Sequence, residues 1–310
     1  MDIFLEIQRN PNFAWCYWVA TSTHPSAVNT REFLHSCFSK ILPATKRNRV
    51  LRKLRAGDSA EVEATLHQLV AHELLLRLGL HPEWEPSCIG LIPDLTFQAH
   101  GTLFIADVFV THSPSITVRD FADGTGEACD TSVPSESRAK KIAYRINEKA
   151  EKYKRLSRPL VLFGFLGDHY ILSPCHFEQA LYGRIPDEAE PGESFPDVGK
   201  TPVPLGGILL PQAEGKMPHE HLSAVVVIDW FDTLNRKDPG KRVHCLVLHH
   251  FAPSTRLPIS AFEQFCQLIW EEQKPQSWKW RYTRERNIVA KLLPGGDEMK
   301  YASYSPGNPW

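Results

Sequence analysis

The sequence predicts a mixed α/β domain, a β-sheet core flanked by helices with additions at both ends. Three observations carry this. Two segments of helical periodicity, Ser59 to Leu78 and Ser137 to Leu156, bracket a pair of short apolar strands. A third apolar run, PLVLFGFLG, follows the second helix and is bounded by Pro159 and Gly167. And 310 residues, 42% hydrophobic and 23% charged, suffice to bury a sizeable core. At about 150 residues per domain the length allows one large domain or two small ones. This composition excludes a mainly disordered, collagen-like or fibrous chain.

Residues 1–58 read as a mostly helical N-terminal extension, interrupted around Pro25 and Pro43. Asp58 or Ser59 caps the first long helix, and Gly79 closes it. Strands are expected at Leu91–Phe97 and Thr102–Val110, joined as a hairpin through His100-Gly101. Ser113 to Ser135, rich in Ser, Gly, Asp and Pro, reads as a loop. After the second helix and the apolar run, strands are expected at Ser223–Trp230 and Val243–His249 and a helix at Ser260–Glu272. The expected organisation is an extension over 1–58, a core over 59–272 and a basic, aromatic extension over 273–310.

No run approaches the roughly 18 apolar residues of a membrane helix, and the N-terminus lacks the basic-then-apolar pattern of a signal peptide. Seven scattered cysteines with no CxxC pair suit reduced thiols. A cytoplasmic protein with no membrane partner is expected.

The net charge of −1 suggests no partner by itself, but its distribution does. Lys46 to Arg55 holds six basic residues and no acid, Arg138 to Arg158 nine basic and two acidic, and Lys274 to Lys291 six basic and one acidic. Asp187 to Asp197 concentrates negative charge in a loop-like stretch. The basic segments are either wet helix faces or a surface for phosphate.

Four charges stand in apolar company. At 100° per residue, Glu73 lies at the centre of a stripe formed by Val62, Leu66, Leu69, Val70 and Leu76, all within about 60° of it. In the second helix Lys149 falls among Ile142, Ile146, Tyr153 and Leu156, with Lys152 on the stripe's rim. Asp94 follows a proline and enters the strand LIPDLTF; Asp107 is the one charge in LFIADVFV, which reads as a central strand. A buried carboxylate must be paired, protonated or bound to a metal. Structural ion pairs would satisfy these groups, and so would a hard-cation site built of oxygen ligands.

Glu73 in HELLLRLG, Pro93-Asp94, Asp107 thirteen residues further on, and the lysine-bearing helix before the apolar strand together resemble the PD-(D/E)XK nuclease superfamily over roughly Ser59 to Leu166. The resemblance implies a restriction-endonuclease-like fold and a metal-dependent phosphodiesterase, a DNA endonuclease more readily than an RNA enzyme, with a role in bacterial defence or DNA processing. It implies Mg²⁺, with Mn²⁺ able to substitute, on Asp94, Asp107 and the Val108 carbonyl, and Glu73 holding a bound water or second ion. The lysine expected two residues after Asp107 is Phe109. In this superfamily the following helix can supply it, which nominates Lys149 and then Lys152. Lys46, Arg47, Arg52, Lys53, Lys141 and Arg145 would dock the nucleic-acid backbone, with a homodimer or a partner protein of a defence system left open. The rival expectation is a nucleic-acid-binding or scaffold protein that keeps the fold without catalysis.

Other features carry less. His219-Glu220-His221 and His249-His250 lack HExxH spacing or an evident third zinc ligand and read as ordinary polar histidines. Cys129 has no evident histidine partner. Trp278, Trp280 and Tyr282 alternate with Lys279 and Arg281, placing the aromatics on one strand face, to stack on bases or to cap a core. No glycine-rich phosphate loop is present.

Overall fold

The computed structural model describes residues 3–5, 7–9, 14–56, 58–88, 90–111, 135–166, 174–183, 207–209, 217–229, 242–274, 277–283 and 289–291. Helices α1 (Ala14–Thr21), α2 (Pro25–Ser39), α3 (Ala44–Ala56) and α4 (Ser59–Arg77) precede strands β1 (Glu83–Trp84), β2 (Leu95–Ala99) and β3 (Thr102–Thr111). Then follow α5 (Ser135–Tyr153), β4 (Leu160–Leu166), α6 (Pro174–Tyr182), β5 (Leu222–Asp229), β6 (Arg242–His249), β7 (Cys266–Lys274), β8 (Ser277–Tyr282) and β9 (Val289–Lys291).

Local chemistry explains the element ends. The Asp58 side chain accepts the Glu61 N–H and caps α4, and Gly79 leaves the helix at φ +70°. His100 and Gly101 both take positive φ, as a two-residue hairpin turn requires, and β2 and β3 pair antiparallel from Ala99↔Thr102 to Leu95↔Ala106. β2 begins at Leu95 rather than at Leu91. Leu91 is engaged in a reciprocal bridge with Cys88, and Pro93 has no N–H for a ladder. Asp94 is thereby left just ahead of the strand.

The strands form one mixed sheet in the order β1 to β8, with β9 also on β6. β3, β4 and β5 run parallel, and β2 is antiparallel to β3. On one face α1 to α4 pack with Phe97, Phe104, Ala106, Val108, Phe163 and Phe165. On the other, α5 and α6 pack with Ile105, Phe109, Leu160, Leu162 and Leu166. Every residue of β4 is buried. A full aliphatic or aromatic burial is worth about 1.5–3 kcal/mol, so this centre accepts a charge only when partners offset its desolvation.

The helix expected over Ser260–Glu272 is instead a 3-10 turn, Ile259–Phe262, followed by β7. β7 pairs parallel with β6. Phe265 to Ile269 are all buried, so this run lacks the alternation that separates a strand from a buried helix. Inside this run Gln267 is fully buried, and its amide donates to the Ile259 and Phe262 carbonyls. The segment 187–197 and most of the Ser113–Ser135 loop lie outside the described residues, as does Cys129. Cys16, Cys37, Cys88, Cys245 and Cys266 are free, buried thiols. Among the described residues no helix is long and apolar enough to cross a membrane.

Candidate active site

On β3 the residues alternate between the two faces, and Asp107 shares the α5 face with Ile105 and Phe109. The β2–β3 register, carried one pair past Leu95↔Ala106, sets Asp94 opposite Asp107. Two carboxylates therefore face each other across neighbouring strands beneath α5, an arrangement that costs free energy unless positive charge is near.

α5 supplies that charge. Lys149 Nζ donates to Asp107 Oδ1 at 2.5 Å, Lys152 Nζ to Oδ2 at 3.1 Å, and the Tyr153 hydroxyl also to Oδ2. Lys149 and Tyr153 are one turn apart, and Lys152 stands at the rim, so three donors of a single helix end converge on one carboxylate. Asp107 is fully buried, while the Lys149 side chain is 26% and the Lys152 side chain 42% exposed. The lysine stems thus lie along apolar surface and keep a route to water.

Burial alone would raise the Asp107 pKa, but the ammonium groups of Lys149 and Lys152 and the bonds from Lys149 and Tyr153 hold it below the ordinary carboxylate value. Asp94 is only half-buried as a residue, yet desolvation of its carboxyl and the neighbouring Asp107 charge push it up to about 7. Lys149 is raised; the charges of Asp107 and Asp94 outweigh its own desolvation. The pair of acids is pulled apart, one firmly ionised and one short of positive charge.

Asp94 Oδ2 accepts the Val108 N–H at 2.8 Å. The Ile105 N–H points the other way, to the Pro159 carbonyl beside β4. Alternate residues of a strand turn their N–H and C=O to opposite neighbours, so Val108 turns its carbonyl toward the β2 side, beyond the last β2 pair. Asp94, Asp107 and this carbonyl are oxygen donors suited to a hard cation that keeps several waters, as Mg²⁺ does with one or two carboxylates. Among the described residues no three His, Cys, Asp or Glu side chains group around a common point, which does not suit a structural zinc site.

Phe109 shows why a lysine at that position would be misplaced. It is buried under α6, with its ring 6.1 Å from that of Phe177. It lies opposite Gly164 on β4, where a Cβ would sit 2.5 Å from Phe177 Cε1 and 2.9 Å from Phe109 Cζ. An ammonium there would be enclosed by aromatic rings, whereas α5 delivers one to Asp107 from the rim.

Glu73 does not join this group. α4 covers the opposite face of the sheet, and Glu73 Oε1 accepts Nζ of Lys40, just past the end of α2, at 2.6 Å together with Arg77 Nε. The structure thus places Glu73, expected on a bound water or second ion, in a buried ion pair away from Asp94 and Asp107.

The α3 cations divide. Lys46 donates to the Glu85 carbonyl at 2.6 Å, and Lys53 to Glu85 Oε1 at 2.5 Å; Arg47 donates to the Ser39 carbonyl at 3.2 Å, and Arg52 is exposed. On α5, Lys141 is exposed and Arg145 pairs with Glu148 at 3.0 Å. Tyr153 and Glu85 were not among the residues nominated from sequence. Tyr153 stood in the same apolar stripe as Lys149, but Glu85 lies in a short link with no periodicity to mark it.

The histidines serve as clasps. His219 contacts Asn147 Oδ1 at 3.0 Å and His221 the Ala150 carbonyl at 2.8 Å, both on α5; His249 contacts Gln267 Oε1 at 2.8 Å and His250 the Pro218 carbonyl at 2.9 Å. On β8, Tyr282 donates to Glu178 Oε1 at 2.7 Å while Arg281 is exposed; the side chains at 278–280 lie outside the described set. No protein-family model, curated protein or solved structure matches this chain.

Proposed function

We propose that this chain is a metal-dependent phosphodiesterase of the PD-(D/E)XK kind, acting on nucleic acid and on DNA in preference to RNA. One observation carries the reading: the β2–β3 register, continued one pair, sets Asp94 opposite Asp107, with Lys149 Nζ 2.5 Å from Asp107 Oδ1. Its support also includes the order α4, β1–β3, α5, β4, which follows the element order of the resembling stretch.

A divalent cation held by Asp94, Asp107 and the Val108 carbonyl would supply charge neutralisation and a more acidic water. The chain's own groups do the remaining work. Lys149 places an ammonium where negative charge develops on a phosphoryl oxygen. Lys152, more exposed, holds the other side of Asp107 and can meet the substrate. Tyr153 fixes the Asp107 carboxylate so that one orientation persists. The basic helices α3 and α5 offer phosphate contacts, which set position rather than sequence.

A second reading has its own observation. Both Asp107 oxygens already accept protein donors, and position 109 is Phe, as in a binding protein that has kept the frame without the activity. Incubation with plasmid, linear duplex, single-stranded DNA and RNA in Mg²⁺, Mn²⁺ or EDTA separates the two. Cleavage in Mg²⁺ or Mn²⁺ that EDTA abolishes is expected. Binding without cleavage in any metal supports the second reading, and full cleavage in EDTA rejects the metal assignment.

A further inference from the structure

We propose that Lys46, Arg49 and Lys53 form a phosphate subsite beside the carboxylate pair, assembled by Glu85, for a backbone phosphate next to the one attacked. This rests on the reading of the chain as acting on nucleic acid. The three residues stand at i, i+3 and i+7 of α3 and so share one helix face. All three converge on a single residue. Lys46 Nζ lies 2.6 Å from the Glu85 carbonyl, Lys53 Nζ 2.5 Å from Oε1, and Arg49 Nη1 3.8 Å from Oε2.

Glu85 is tied in turn to the candidate active site. Its N–H donates to the Asp94 carbonyl at 2.9 Å. It is buried and holds φ +41°, a left-handed conformation that a non-glycine residue keeps only where its surroundings fix it. α3 is therefore docked, through one pinned acid, onto Asp94, the residue just ahead of β2.

The charge count points to a ligand. Three cations against one carboxylate leave an excess of two positive charges, of which the unmatched Asp94 can take at most one, because Asp107 is already met by Lys149 and Lys152. One lysine would neutralise Glu85. The Arg49 side chain is 45% exposed and that of Lys53 27%, so both keep a face toward solvent while anchored. Cations fixed at one edge of a phosphodiesterase site suit the regularly spaced anions of a nucleic-acid strand. Arg47, directed to Ser39, falls outside this face.

The test is a binding titration of the full chain in EDTA, which prevents metal-dependent cleavage. A short labelled DNA duplex and its single strand are used over a range of salt. Arg49→Ala and Lys53→Met are each expected to weaken binding by about tenfold and to lower the salt slope by about 1, as loss of one phosphate contact does. Arg256→Ala, which removes one exposed charge elsewhere, is expected to change neither, and thermal melting checks that each variant is folded. Wild-type affinity and slope in both α3 variants overturn the subsite, as does a wild type that binds neither DNA. Cleavage by the wild type in Mg²⁺ is read separately. Cleavage with unaltered α3-variant binding sinks the subsite alone; loss of binding in the variants of a wild type that never cleaves upholds the subsite and sinks the proposed activity.

Discussion

Two buried carboxylates, one on each face of the sheet, have nearly the same inventory and different chemistry. Glu73 lies between α2 and α4 with Lys40 and Arg77; Asp107 lies between β3 and α5 with Lys149 and Lys152. Each has two cations within ion-pair distance. Glu73, however, meets its partners through Oε1 alone, and Arg77 is only 16% exposed. Asp107 faces a second acid, uses both oxygens, and takes its cations from a helix rim where they can reach water. A buried ion pair is by itself weak evidence of function. What distinguishes Asp107 is a neighbouring carboxylate whose charge is unmatched at short range and a main-chain carbonyl directed to the same side.

If that distinction is right, substitutions in the two regions separate activity from stability. The largest effect is expected at the acid pair. Asp94→Asn and Asp107→Asn should each lower DNA cleavage in Mg²⁺ by about a thousandfold or more, since they remove charge at the reacting centre. Neither should unfold the chain, because Asn keeps the shape and the lysines can turn to water. Melting temperature and cleavage measured on one preparation decide this, and an active double variant would erase the distinction.

Next is Lys149→Met, which keeps the apolar stem and removes the ammonium. Cleavage should fall by about a hundredfold to a thousandfold, with duplex binding in EDTA retained. Undiminished cleavage would pass the role to Lys152, and undiminished cleavage in the double Met variant would leave α5 without one.

Glu73→Gln should do the reverse. It leaves Arg77 largely buried with a neutral partner, for a stability loss of about 3 kcal/mol, the lower end for breaking a buried pair because Lys40 is well exposed. Cleavage per folded molecule should stay at the wild-type level. Urea unfolding followed by activity at low temperature reads both, and a selective loss of cleavage would return Glu73 to the active site.

The smallest effect at neutral pH concerns His72, beside Glu73. Burial lowers its pKa from 6.5 to about 4, and His249 shows the same shift. The unfolded chain takes up these protons near pH 6.5 and the folded chain only near 4. Their contribution is therefore complete above about 6.5 and is lost as pH falls through that window, by about 3 kcal/mol for each. His72→Phe keeps a ring against Trp84, 5.9 Å away, and should make the acid-side decline in melting temperature shallower, the rest being shared with His249, His219, His221 and His250. An unchanged decline would assign it to other groups.

Where signals were local, the sequence could be read closely. Asp58 and Gly79 bound α4, and His100-Gly101 closes the hairpin, because caps and turns are decided within a few residues. Lys149 was legible for a different reason: a lysine in the apolar stripe of a helix needs an acid, and the structure supplies Asp107. The same projection found Glu73 inward but not its partners, since partners are a tertiary fact. Lys40, just past the end of α2, is 33 residues away. β7 read as a helix because Cys266 to Ile269 are all buried and so show no alternation. Glu85 had no pattern to reveal it, and its importance arises only when three spaced cations of α3 fold onto it.

The hairpin between Asp94 and Asp107 also limits where the chain can change length. Strand residues alternate strictly between faces, so a one-residue insertion or deletion inside either strand sends one carboxylate to the far side of the sheet. A length change at an exposed turn leaves this pairing intact, whereas one inside these strands does not. The count of residues from 95 to 99 and from 102 to 106 therefore sets which face each acid takes, independently of which side chains fill it.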